Sequence, residues 1–128
     1  MNIKGIHHIA ILTDDYERSK RFYTEVMGFD VIRETYREER RSYKLDLAIA
    51  GRYQIELFSF PDYQERASYP EAKGLRHLAF AVDDVEAAAA ELRAKGVLPQ
   101  PVRVDELTNK KFIFFTDPNG QPLELYEE

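Results

Sequence analysis

Four side chains in this sequence have the types and spacing to hold a metal ion: His8, Glu56, His77 and Glu124. His77 follows His8 by 69 residues, and Glu124 follows Glu56 by 68. Each glutamate stands between apolar neighbours, in Ile55-Glu56-Leu57 and Leu123-Glu124-Leu125, an odd place for a carboxylate that lacks a partner. If the two halves of the chain face each other, they supply two imidazoles and two carboxylates to one cavity. Four nitrogen and oxygen ligands, two of them anionic, neutralise one divalent metal per site and suit nickel, zinc, cobalt, manganese or ferrous iron. An octahedral ion would keep two positions open. Without a metal, the two carboxylates would repel and at least one would stay protonated. The sequence has no cysteine, which excludes disulfides and thiolate metal sites.

The elements that must position these residues also come in pairs. His8-Ile9-Ala10-Ile11 resembles His77-Leu78-Ala79-Phe80, Asp14-Asp15 falls on Asp83-Asp84, and Gly28 and Gly51 fall on Gly96 and Gly120. A repeat of this length governs the reading of everything else. Alternation predicts a strand over 3–12, with Ile6, His8, Ala10 and Leu12 on one face and His7, Ile9 and Ile11 on the other. His7 is therefore expected to be structural; Arg76 stands at its place in the second repeat. Asp14 is expected to cap a helix that Gly28 ends, and strands are expected over 29–36, 42–49 and 53–60. In the second half, a strand over 75–82 leads to a helix capped by Asp84 and stopped by Gly96. A weak edge strand over 97–104, interrupted by Pro99 and Pro101, precedes strands over 111–116 and 123–126. The fold class is α+β: two βαβββ repeats, 1–60 and 74–128, joined by a linker at 61–73, in one domain spanning 1–128.

Composition excludes several function classes. The chain has 128 residues, 44% hydrophobic and 32% charged, with no apolar run near the roughly 20 residues of a membrane span. Residues 1–5 carry no apolar leader, so a cytoplasmic protein is expected. Net charge is −5, and the one basic cluster, Arg37, Arg40 and Arg41, is interleaved with Glu38 and Glu39, so no nucleic-acid partner is expected.

The sequence resembles the vicinal oxygen chelate superfamily, the glyoxalase I and bleomycin-resistance-related proteins, over essentially its whole length. The motifs that carry the resemblance are His8-Ile9-Ala10-Ile11 with Ser19-Lys20-Arg21-Phe22-Tyr23, Ile55-Glu56-Leu57, the run from His77 to Asp83, and Asp117-Pro118-Asn119-Gly120 with Leu123-Glu124-Leu125. Glu56 to Pro61 and Gly74 to His77 look closest to the YaeR-like branch. The resemblance implies curved sheets that enclose a metal, with His8 beside Glu56 and His77 beside Glu124. The His, Glu, His, Glu order is similar to bacterial-type glyoxalase I, in which the metal holds the vicinal oxygens of a hemithioacetal and a ligating glutamate moves a proton. It implies a lyase or isomerase with Glu124 as base and Glu56 as its near-symmetric rival, a small-molecule substrate with vicinal oxygens, and a homodimer.

Departures from that pattern narrow the substrate. Bacterial-type glyoxalase I usually has an arginine four residues after the first metal histidine and an asparagine four after the first metal glutamate. Leu12 and Phe60 stand there, which disfavours glutathione hemithioacetal; charge-assisted bonds of the lost kind are worth roughly 1.5–3 kcal/mol. Leu12, Ala10, Phe58, Phe60 and Ala81 are expected on the ligand-bearing faces. Arg33, Arg37, Arg41, Lys110 and Lys111 read as surface charges able to hold an acidic tail at the rim. The alternatives within the superfamily are an epimerase, a thiol transferase or a dioxygenase, against which Glu56 argues. A metal-dependent binding module that sequesters small molecules is the non-enzymatic alternative.

Overall fold

The structure, a computed structural model, describes residues 1–128. The chain forms two compact units, Met1–Glu65 and Arg66–Glu128, divided within the segment expected to be the linker.

In the first unit, β1 (Ile9–Thr13) leads to α1 (Tyr16–Arg21), which continues as a π-helical turn over Phe22–Val26. The strands β2 (Asp30–Arg37), β3 (Ser42–Ile49) and β4 (Arg52–Ser59) follow. The helix starts where the Asp15 side chain accepts the Arg18 N–H at 3.1 Å, satisfying a donor that the first turn leaves free. Asp15, not Asp14, is thus the cap; Asp14 instead accepts the Asp15 N–H. Gly28 closes the helical segment at φ 74°, a left-handed conformation that side chains resist. The sheet order is β1-β4-β3-β2, with β1 parallel to β4. Leu45, Leu47, Ile55 and Leu57, each no more than 1% exposed, form the buried sheet face, while α1 and its continuation bury Tyr16, Ser19, Phe22 and Tyr23.

The second unit repeats the plan with β5 (Leu78–Val82), α2 (Val85–Ala94), β6 (Arg103–Val104), β7 (Lys111–Thr116) and β8 (Pro122–Glu127). Its order is β5-β8-β7-β6, with β5 parallel to β8. Asp84 caps α2 by accepting the Ala87 N–H, and Val85, Ala89 and Leu92 form its buried stripe at helical spacing. Ile113, Phe115, Leu123 and Leu125 are the buried sheet residues. The turn before β8 is fixed by Asp117, whose side chain accepts the N–H groups of Asn119 and Gln121. No helix is long and apolar enough to cross a membrane.

The two βαβββ units bear out the expected fold class, with three differences of more than one residue in extent. The first strand begins at Ile9, where pairing with Ile55 begins, and not at Ile3. The strand expected from residue 75 begins at Leu78. The strand expected over 97–104 shrinks to Arg103–Val104, because Pro99 and Pro101 have no N–H to offer a ladder.

Candidate metal centre

Register places the candidate ligands identically in the two units. Ala10 lies opposite Glu56 across the parallel β1–β4 ladder, and His8 stands two residues before Ala10. Ala79 lies opposite Glu124 across β5–β8, and His77 stands two residues before Ala79. The structure thus brings His8 Nε2 to 3.5 Å from Glu56 Oε2, and His77 Nε2 to 3.0 Å from Glu124 Oε2. Two donors held at about 2.1 Å and at right angles on one ion lie about 3 Å apart, so each pair has the spacing of adjacent ligands. Each pair also has donors of a suitable kind, an imidazole nitrogen and a carboxylate oxygen. The structure gathers the candidate ligands as two separate pairs and shows no group of three or more His, Asp or Glu side chains that could hold a metal ion.

The surroundings of the two glutamates differ. Glu56 Oε1 accepts hydrogen bonds from the Tyr53 hydroxyl and from Lys44 Nζ, the latter at 3.0 Å. Both donors also reach Asp46 Oδ1, Tyr53 at 3.2 Å and Lys44 at 3.3 Å. Burial pushes the Glu56 carboxyl up, but bonds from Tyr53 and Lys44 outweigh it and hold the group below the usual carboxylate range. Lys44 is held above its ordinary value, mainly by its bond to Glu56. Glu124, 8% exposed, has only His77 as a polar side-chain partner. The wall beside it is aromatic: the Phe114 ring lies edge-on to His77 at 5.0 Å, and Phe112 stacks on Tyr126.

A β-bulge explains how Tyr53 reaches Glu56. Leu47 pairs with Ile55, but the next residue, Ala48, pairs with Tyr53, so Gln54 is an extra residue in β4. Strict alternation would turn Tyr53 to the face of Ile55 and Leu57; the bulge re-aims it toward Glu56. Sequence reading missed Tyr53 for that reason. Lys44 and Asp46 carried a signal, polar residues alternating with Leu45 and Leu47.

His7 does not lie across a sheet from His8, because β1 has not yet begun at either residue. Their Nδ1 atoms are 2.8 Å apart, and both rings approach Tyr53. Two of the anticipated rim cations are occupied. Lys111 pairs with Glu86 at 3.1 Å, and Arg37 stacks over Phe58 and Phe60 while donating to Ser42. Leu12 is 42% exposed and pairs with Phe58 across the β1–β4 ladder.

A family model described as the Glyoxalase/Bleomycin resistance protein/Dioxygenase superfamily matches residues 5–125. The chain is 60% identical to "Uncharacterized protein YwkD" of Bacillus subtilis (strain 168) over 128 residues, covering 100% of each chain. It is 56% identical to "Uncharacterized protein YaeR" of Escherichia coli (strain K12), covering 100% of this chain and 99% of that protein. The crystal structure of the glyoxalase family protein from Enterococcus faecalis superposes with a TM-score of 0.90 at 48% identity, over 99% of this chain and 100% of that one. Relatives 28–29% identical are named as an epimerase, a probable lactoylglutathione lyase, a manganese-dependent dioxygenase and a metallothiol transferase.

Proposed function

The chain belongs to the Glyoxalase/Bleomycin resistance protein/Dioxygenase superfamily, and we propose that within it the protein is a divalent-metal-dependent lyase or isomerase of the glyoxalase I type. His8, Glu56, His77 and Glu124 hold one ion of nickel, zinc, cobalt, manganese or iron. The observation that supports this is the duplicated register, which gives each unit one histidine nitrogen and one glutamate oxygen 3.0–3.5 Å apart. Two ligands from one unit alone hold a metal weakly, so the reading needs both pairs. When bound, the cation supplies Lewis-acid stabilisation of negative charge that develops on a substrate oxygen.

The residues divide the remaining work. His8 Nδ1 faces His7 Nδ1 at 2.8 Å, a contact that orients the ring and leaves Nε2 as the nitrogen turned toward Glu56. Tyr53 and Lys44 occupy Glu56 Oε1, which leaves Oε2 as its ligating atom and suits Glu56 to a fixed, anionic role. Glu124 keeps an oxygen without a hydrogen-bond partner. It is the base: it removes the proton from the hydroxyl-bearing carbon beside the substrate carbonyl and returns it to the former carbonyl carbon, while the hydroxyl proton passes to the former carbonyl oxygen, an isomerisation with no net change of atoms. The substrate is a small molecule with vicinal oxygens. Leu12 and Phe60 offer no polar group, so glutathione hemithioacetal is disfavoured.

The proposal includes a homodimer, for which light scattering reads twice the 15.0 kDa chain mass. Proton transfer is tested by NMR of solvent-deuterium exchange at the substrate carbon, across hemithioacetals and 2-hydroxy ketones, with metal-loaded protein. Metal-dependent exchange supports the enzyme. Saturable, metal-dependent binding without exchange for any of them replaces it with a small-molecule-binding module.

A further inference from the structure

We propose that Arg103 binds an anionic group of the substrate, a carboxylate or a phosphate, and so sets the substrate class of the site. This rests on the function proposed above, since it takes the substrate's oxygens to be held beside His77 and Glu124. The Arg103 guanidinium lies over two rings, with its Cζ 4.9 Å from the Phe112 centroid and 5.3 Å from that of Phe114. Phe114 is the cross-strand partner of Glu124, and its ring meets His77 edge-on. Arg103 is paired with Phe112 on the adjacent edge strand. These side chains therefore form one connected surface that leads from the guanidinium to the candidate ligands. With strands about 4.8 Å apart and a rise of about 3.3 Å per residue, the Arg103 and Glu124 backbones are separated by roughly 12 Å. The arginine side chain spans much of that gap, so a short acid can reach both ends.

Arg103 combines that stacking with free donors: it is exposed, and its guanidinium makes no hydrogen bond or ion pair. Asp105, two residues on, is already engaged by the Leu107 N–H and the Tyr126 hydroxyl. Of the other cations near the candidate ligands, Lys44 lies between Asp46 and Glu56 and Arg76 pairs with Glu71, while Arg37 donates to Ser42 and keeps a buried Nε without a partner. An unpaired surface arginine is ordinarily just solvated, and its many rotamers make it a poor binder. Stacking over two phenylalanines removes that objection, because it holds the planar fork in place and leaves its edge open for two parallel bonds to an oxyanion. In the first unit, the residue at the place of Phe112 is Lys44, whose charge is neutralised locally, so the Phe112–Phe114 platform belongs to the second unit alone; the first unit's stacked arginine, Arg37, lies instead over Phe58 and Phe60.

The test uses full-length zinc-loaded protein and three probes that each present vicinal oxygens: acetohydroxamate, succinomonohydroxamate with a carboxylate tail, and phosphonoacetohydroxamate with a phosphonate tail. Calorimetry should show wild type binding at least one anionic probe about tenfold or more tightly than acetohydroxamate, and which tail wins decides between carboxylate and phosphate. Arg103→Ala should abolish that preference and leave acetohydroxamate affinity and zinc content unchanged; Arg103→Lys should restore only part of it. A preference that survives in Arg103→Ala, or none in wild type, overturns the proposal. In metal-free protein, the Arg103 Nε–H NMR signal should shift with succinate or inorganic phosphate. Shifts without any zinc uptake would sink the metal reading and leave the anion site standing, whereas no shift and no preference would remove the anion site.

Discussion

Asp46 and Phe114 hold the same place in the two units, each directly across the antiparallel ladder from a glutamate: Asp46 from Glu56, and Phe114 from Glu124. One exchange of residue type makes two otherwise matching pairs unequal. In the first unit Asp46 draws Lys44 and Tyr53 into a charged network that pins one oxygen of Glu56. In the second, Phe114 and Phe112 offer no donors, and Glu124 is left with His77.

That inequality separates the two glutamates in kinetics. Because Glu124 is also a proposed ligand, Glu124→Gln is assayed at saturating metal, where kcat is expected to fall by about 10²- to 10⁴-fold with little change in KM, the usual range for a lost general base. Glu56→Gln should act chiefly through weaker metal retention, so that excess metal recovers much of its rate. A larger, metal-insensitive kcat loss in Glu56→Gln would exchange the two roles.

Metal should stabilise the fold by mass action, because the unfolded chain does not hold the ligands together. At a free metal concentration 100-fold above Kd the gain is about 2.7 kcal/mol, and EDTA should remove it. Calorimetric melting of wild type, His8→Ala and His77→Ala, with elemental analysis, measures this. Both variants should lose the metal-dependent rise in Tm. Retention of the full rise in either would remove that histidine from the ligand set.

Neighbouring positions on β4 should fail in different ways. Leu57 is fully buried, and Leu57→Ala should cost about 2–5 kcal/mol in urea unfolding through the cavity it leaves. Glu56→Gln, on the other face, should lose metal while keeping most of its metal-free stability. Equal destabilisation by the two would contradict this division of faces.

The same alternation made much of the fold legible in the sequence. Strands 42–49 and 111–116 have the expected bounds, and Asp84 caps α2 as expected. The 69- and 68-residue offsets marked the two histidines and the two glutamates as equivalent positions, while the pairing of each histidine with its glutamate was implied by the family resemblance. What the sequence hid depends on pairing and not on pattern. His7 and His8 alternate like strand residues, yet no ladder is formed until Ile9, so they sit side by side. Tyr53 owes its place to a bulge at Gln54 that no local signal marks. Arg103 lies in a proline-interrupted segment with weak strand character, and its importance appears only once β7 places two phenylalanines beneath it.

The last prediction concerns pH and a contact away from the candidate ligands. Glu34 on β2 accepts from Lys20 Nζ at 2.7 Å and from the Tyr16 hydroxyl at 2.5 Å, tying α1 to an edge strand. The Lys20 bond, then the Tyr16 bond, hold the Glu34 carboxyl below its ordinary 4.5. A depressed folded-state value means that its stabilisation is fully present above the unfolded value and is lost as pH falls through the folded one. Lys20, raised chiefly by the same contact, adds stability at neutral pH that fades only as pH rises through its raised value, above the ordinary 10.5. Because the Glu34 side chain is 37% exposed, solvent screening limits the pair to under about 1 kcal/mol. Glu34→Gln should therefore lower the urea midpoint slightly at pH 7, with m unchanged, and the difference from wild type should vanish as pH falls through the depressed folded-state value, below 4.5. A difference that stays constant across that range would mean the contact stabilises through packing and neutral hydrogen bonding, and not through the carboxylate charge.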